Sequence, residues 1–382
     1  MAVVTTARRG RGALLLAGAM VALLAGLWGA LALLGYDVPA SDTTAADHGI
    51  LMSLGFLGTM IAVERAVALD RLWAWSAPAA SGVATVWLLV GGWADGGKAL
   101  LLVAGILLLA VYAALQRIQP SLHNALMALA SVGWIVTAAL WLDGWQLFRL
   151  LPWLAVFLVG TIAAERLELS RLIGIGTGPR AALVAASALL VTAAITAVWS
   201  PGVGVRLGGA ALLCLAGWLV RFDLARRTVR QHGVTRFIAV GLLAGYGWLA
   251  VAGASWLAAG YQVWGATFDT QVHGLFLGFV MSMVFAHAPV IAPAVLRRPV
   301  PYHRRFYCHL GLLHLSLLIR IVGGDALGSR TTWQIGGLLN ELALLTFVAV
   351  TAAAVLAGRK GRSGTGWLPD ASTRRLFAGL TH

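Results

Sequence analysis

Charge is scarce in this chain. Asp, Glu, Lys and Arg make up only 11% of its 382 residues, against roughly 25% in an ordinary soluble domain. Acids are the scarcer half, with 14 Asp+Glu against 28 Lys+Arg. Cysteine is nearly absent: Cys214 falls in the middle of an apolar run and Cys308 near the basic end of another. Neither belongs to a C-x-x-C pair or a C-x-x-C-H, which excludes thiol-redox chemistry and covalently attached haem. Their placement also speaks against an extracytoplasmic disulfide. With no G-x-x-x-x-G-K-[ST] and no G-x-S-x-G, P-loop and serine-hydrolase readings drop out too.

What is present is hydrocarbon. Hydrophobic side chains are 60% of the residues and mean hydropathy is +0.85. They come in runs of about 20, each long enough to cross roughly 30 Å of bilayer core. Between polar breaks the sequence predicts helices at 13–35, 47–69, 76–93, 98–116, 121–143, 147–168, 180–199, 203–226, 235–259, 267–291, 304–324 and 333–357. The predicted fold is an all-α polytopic integral membrane protein of about twelve helices. It forms a single transmembrane domain over 1–382, with short tails at 1–12 and 358–382. Arg8, Arg9 and Arg11 precede the first run as they would in a signal peptide. That run exceeds a signal h-region, so it reads as a retained helix.

A formal charge of +14 would suggest nucleic acid in a soluble protein. Here the bases sort by alternate loops. Only Lys98, Arg149, Arg206, Arg320 and Arg330 fall on one side, and the other 23 of the 28 fall opposite. The positive-inside rule then places both termini in the cytoplasm. It leaves no role for nucleic acid, and the bilayer becomes the principal partner.

Three stretches echo one another. Gly58-Thr59 through Glu64-Arg65 resembles Gly160-Thr161 through Glu165-Arg166. His48-Gly49 and Leu54-Gly55-Phe56 resemble His273-Gly274 and Leu277-Gly278-Phe279, which puts His287 where Glu64 stands. The helices concerned are the second, sixth and tenth, a period of four that suggests three four-helix units. Short matches of this kind also arise by chance in Leu/Gly/Ala-rich helices.

Ionisable groups inside hydrocarbon cost a few kcal/mol each and are functional suspects. His48 opens the second helix and His273 lies one turn inside the tenth, at similar depth on the base-poor side. Neutral imidazoles are axial ligands for haem iron, and the glycine after each would let a flat macrocycle approach. Asp47-His48-Gly49 also reads as a plain helix start. His287 lies fourteen residues beyond His273, on one α-helical face about 21 Å away, so the two cannot share a metal. It precedes Ala288-Pro289, where the helix would end or a proton path begin. Gly274, Gly278, Ser282 and Ala286 form a small-residue stripe that reads as close helix packing. His314 sits near mid-membrane, a further metal-ligand candidate, while His309 is expected to reach the headgroups. Arg320 and Glu341 suggest a buried ion pair, with an anionic cofactor group such as a haem propionate as the other partner for Arg320. Glu64-Arg65 and Glu165-Arg166 are expected to pair with other helices or snorkel.

The stretches His48–Arg71, Phe157–Arg171 and Phe268–Leu296, the last running into Arg298-Pro299-Val300-Pro301-Tyr302, resemble the NnrS-type membrane proteins. Those are distant relatives of haem-copper oxidase subunit I, associated with bacterial nitric oxide metabolism and stress, and hold haem and copper. The resemblance implies three four-helix arcs in a bacterial cytoplasmic membrane, with haem b between His48 and His273. The oxidase His-x-His of the tenth helix reads Gln271-Val272-His273 here. The sixth and seventh helices lack the oxidase copper ligands. The resemblance therefore implies at most one low-spin haem and no oxidase-type binuclear centre; copper stays open, and His287 and His314 stand as further metal-ligand candidates. A periplasmic or extracellular electron-transfer protein would be the partner, in electron transfer or the response to nitrogen-oxide or metal stress. The sequence leaves open whether the protein is an enzyme. It also leaves open a twelve-helix proton-coupled secondary transporter and a cofactor-free structural subunit.

Overall fold

The computed structural model describes residues 2–91, 93–170, 174–296, 298 and 300–360. Arg171 and Pro299 of the motif stretches, and residues 361–382 of the expected tail, lie outside them. The described residues are helical, without strands, and include twelve helices long and apolar enough to cross a membrane. These are α1 Leu14–Leu33, α2 His48–Leu69, α3 Leu72–Val90, α4 Asp95–Ile118, α5 Leu122–Leu142, α6 Leu147–Ser170, α7 Thr177–Trp199, α8 Pro201–Phe222, α9 Gly233–Ala259, α10 Ala266–Leu296, α11 Phe306–Ala326 and α12 Arg330–Gly358. Each matches an expected span to within a few residues. The short α3–α4 turn works because Gly91 takes φ +74°, a left-handed conformation that costs glycine nothing. The largest departure is α10, which does not stop at His287 but carries Pro289 and Pro293 inside it. Neighbouring helices in a bundle let a membrane helix tolerate such prolines.

The helices differ in how much of their surface they give to neighbours. In α2 and α6, 72% and 78% of the membrane window is buried, against 22% in α12 and 28% in α7. The two glutamate-bearing echo helices are therefore central. Leu14, Val83, Ile106, Ile195, Val220 and Leu342 are exposed, as side chains facing lipid would be. Trp93, Trp199 and Trp264 are exposed at the base-poor ends of their helices, where an interfacial aromatic belt belongs.

The small-residue stripe of α10 does pack closely, against α9. A Cβ on Gly241 would stand 3.0 Å from Ala286 Cβ, one on Gly245 3.1 Å from Ser282 Cβ, and one on Gly278 2.5 Å from Trp248 Cβ. The two helices run antiparallel in this register, with dispersion contacts at short range replacing the hydrophobic drive that lipid does not supply. Gly274 also faces α9, its nearest neighbour being Ala252. Gly49 packs on Leu147. Gly274 clears room for α9 rather than for a macrocycle, while Gly49, packed on Leu147, still lines a cavity together with His48.

Among the described residues three spans hold a π-helical segment, besides the 3-10 turn that opens α3 at Leu72–Trp75. Leu51–Gly58 in α2, Gly274–Met281 in α10 and Ile319–Ala326 in α11 are π-helical, a rare form that concentrates at functional sites. The first two hold Leu-Gly-Phe at the same fourth, fifth and sixth places. In that register Glu64 again falls on His287, but His48 falls on Gln271 rather than His273. The His-Gly echo is thus two residues out of step with the rest of the repeat.

A histidine-lined cavity as the candidate functional site

His48, His273 and Arg320 come together. All three line one cavity of about 240 Å³ at the base-poor end of the bundle, with Asp269, Asn340 and Glu341 as its other polar groups. Leucines, Met52, Met281, Phe268 and Phe276 make most of the rest.

The two imidazoles are set in the same way. His48 Nδ1 lies 2.8 Å from the Gly26 carbonyl of α1. His273 Nδ1 lies 3.1 Å from the Asp269 carbonyl, one turn back on α10, and 3.1 Å from the Asp269 carboxylate. A carbonyl only accepts, so each Nδ1 carries the proton and donates. Each Nε2 is left with its lone pair, and no protein donor reaches it among the described residues. A ring held by Nδ1–H on an oxygen while Nε2 stays open is how proteins prepare histidine to ligate a metal.

Arg320 does not pair with Glu341 as expected. Its Nε and Nη2 both donate to Asp269, at 2.7 Å each, and its guanidinium lies 5.2 Å from the Trp333 ring centroid. Asp269 wins because it stands one helical turn from His273 and opposite the π-helical turn that carries Arg320, so a fork-to-fork approach is open to it. Glu341 lines the same cavity with Oε1 buried and unpartnered. Sequence reasoning missed Asp269, although an acid four residues before a histidine in an apolar span was a signal that could have found it.

The remaining histidines go elsewhere. His287 donates from Nδ1 to the Met283 carbonyl at 2.8 Å and accepts at Nε2 from Arg166 at 3.0 Å, so neither nitrogen is open. His314 accepts at Nδ1 from Trp248 Nε1 at 3.0 Å; its Nε2 is buried and unpartnered, and it lines neither this cavity nor the one below. His309 does not reach headgroups: it is 0% exposed, its ring enclosed by Phe237, Phe285, Phe306 and Phe347 at 4.9–6.2 Å. No group of three or more His, Cys, Asp or Glu placed to hold a metal occurs among the described residues.

At the base-rich end Arg65 and Arg166 join helices as expected, whereas Glu64 pairs with its own neighbour Arg65. Arg65 Nη2 contacts its neighbour Glu64 and reaches Glu165 of α6 at 3.3 Å. Arg166 takes Asp223, just beyond α8, with Nε at 2.6 Å and Nη2 at 3.3 Å. Glu64, Glu165 and His287, the three positions that the repeat equates, line a second cavity of about 480 Å³. Leu57 lines both cavities and separates them.

Whether the first cavity suits a haem turns on its donors and walls. Two open imidazole nitrogens, an arginine for an acidic substituent and apolar walls are the right chemistry. Its volume falls short of the roughly 300–1,000 Å³ of ligand pockets, but flexible Met52 and Met281 form part of the wall. The donor set fits the group, while the cavity at about 240 Å³ is too small to enclose the whole macrocycle without movement of its walls.

Fold and site together define a multi-pass helical membrane protein, with twelve helices able to cross a membrane among the described residues and a two-histidine cavity at the base-poor end. Over residues 11–356 the chain matches the family model described as Domain of unknown function (DUF8744), and it belongs to that family. No curated protein matches it.

Proposed function

We propose that this chain is a haem-binding protein of the bacterial cytoplasmic membrane, allied to the NnrS-type proteins, with His48 and His273 as the residues that would hold the haem iron. The observation that carries the reading is the matched setting of the two imidazoles, each pinned at Nδ1 and open at Nε2 toward one cavity. The base-rich end is cytoplasmic in this proposal, so the cavity serves the outer side. Central α2 and α6, and the shared π-helical register of α2 and α10, support an arrangement of three four-helix units.

A low-spin haem bound there supplies a one-electron couple suited to electron transfer. The chain's own residues do the rest. Gly26 and Asp269 hold the rings in the ligating tautomer, and the apolar walls exclude water. Arg320, bonded to Asp269 through Nε and Nη2, has its Nη1 to offer an acidic substituent. A soluble electron-transfer protein at the outer face is the partner, in the response to nitrogen-oxide or metal stress. Copper receives no site in this proposal, because His287 is fully engaged and His314 lies outside both cavities.

The test is an optical spectrum of protein purified from haem-supplied cells. A Soret band is expected, lost in both His48→Ala and His273→Ala and kept in His287→Ala. No band in the parent protein sinks the proposal. The transporter reading retains one observation, the two cavities meeting at Leu57, and proton-coupled uptake by proteoliposomes would decide for it.

A further inference from the structure

The second cavity has a chemistry of its own. At about 480 Å³ it lies within the range of small-molecule sites, and it is walled by α1, α2, α6, α10 and α12. Most of its lining is apolar, including Met20, Met60 and Met283, side chains that adapt to ligands of differing shape. Its charged lining groups are Glu64 and Glu165. These two carboxylates share one guanidinium, that of Arg65. The next arginine cannot help, since Arg166 is turned to Asp223 and His287. Glu64 and Glu165 thus meet in the lining with one guanidinium between them. Negative charge in a low-dielectric space is costly until a cation or a proton meets it. Phe56 and Phe347 add aromatic faces to the lining, which attract cations. Thr351 Oγ1, buried without a partner, lines it as well.

The geometry points to a binding site for a lipophilic cation: an apolar body against the methionines and phenylalanines, with its positive charge opposite Glu64 and Glu165. The site is independent of the two-histidine cavity and needs no haem.

Equilibrium dialysis of the full-length protein in detergent, with radiolabelled tetraphenylphosphonium, tests this. Saturable binding is expected, weakened at least tenfold in Glu64→Gln and in Glu165→Gln. Glutamine still accepts from Arg65, so those variants keep the α2–α6 link. Ala292→Trp, which crowds the cavity without touching a charge, is expected to reduce binding too. Decyl-hydroquinone, of like hydrophobicity but uncharged, separates charge from hydroxyl donation. The inference is overturned by non-saturable uptake, by undiminished binding in both glutamine variants, or by binding of the hydroquinone alone.

Discussion

Replacing Asp269 by leucine should be among the most damaging single changes in this protein, and the structure sets its size. Asp269 and Arg320 meet through two bonds of 2.7 Å with side chains only 12% and 9% exposed. The 0–1 kcal/mol typical of solvated surface pairs therefore does not apply. Removing one partner of a buried pair costs about 3–5 kcal/mol, because the other charge stays behind unpaired. Glu341 moderates this: it lines the same cavity with a free oxygen and lies within electrostatic reach of Arg320. Asp269→Leu is accordingly expected near 3 kcal/mol, about a hundredfold in the folding equilibrium, and Asp269→Leu with Glu341→Leu near 5. Adding Arg320→Met to Asp269→Leu removes the stranded charge and should return most of the loss, a coupling of at least about 2 kcal/mol. Unfolding titrations in mixed detergent micelles, run over the full cycle, measure these terms. A loss below 1 kcal/mol for Asp269→Leu, or single losses that simply add, would refute the reasoning.

Other consequences are as specific. Gly209→Ala drives a methyl into the backbone of α9, 2.6 Å from the Gly253 carbonyl oxygen, whereas nothing lies within 4 Å of a Cβ at Gly217; in the same titration the first should cost about 1–3 kcal/mol or more and the second, inside a helix, should stabilise by about 0.4–1 kcal/mol. Burial raises the Asp47 carboxyl above its ordinary 3.8, with Lys98 opposing. A raised acid favours the folded state least once it ionises, so Asp47→Asn should raise the melting temperature at pH 7 and lose that advantage below pH 3.8. Equal effects at both pH values would contradict this. Phosphatase fusions report orientation: activity is expected after Gly144 and none after Arg230, and the reverse pattern would invert the topology.

The spans were legible in the sequence because crossing a bilayer demands long apolar runs, and little else produces them. The π-helical segments were not. Leu54-Gly55-Phe56 and Leu277-Gly278-Phe279 are visible as an echo, yet nothing in the apolar pattern announces a ladder bonded five residues on. The omission has consequences for angles counted along α10. Placing His273 and His287 on one face assumed 3.6 residues per turn, and Gly274–Met281 lies between them. His273 instead opens onto one cavity, and His287 lines the other, closed by Arg166. The same segment shows why the His-Gly echo misled: in the π-helical register the counterpart of His48 is Gln271. That amide is spent on the Gly260 and Ser255 carbonyls, which fix the start of α10 against the end of α9.

Charge placement tells a similar story about what hydropathy can and cannot rank. The sequence marks Arg320 as a cation that needs an anion and points to Glu341, whereas the fold also brings Asp269 and Asp325 near it. The order follows from what else each acid does. Asp325 accepts from Thr270 at 2.8 Å, while Glu341 stands on α12, the span that gives least of its surface to neighbours. Asp269 alone can serve Arg320 and the His273 ring together, through its carboxylate and its own carbonyl. One acid then settles two problems of burial at once, leaving the cavity with an oriented imidazole and a neutralised guanidinium. Glu341 is left over, facing the cavity with an oxygen unpaired. A cofactor that brings its own acidic groups would have to contend with that oxygen. Glu341→Gln should accordingly strengthen haem retention during dialysis against apomyoglobin, and a faster loss from that variant would argue that Glu341 helps to hold the group.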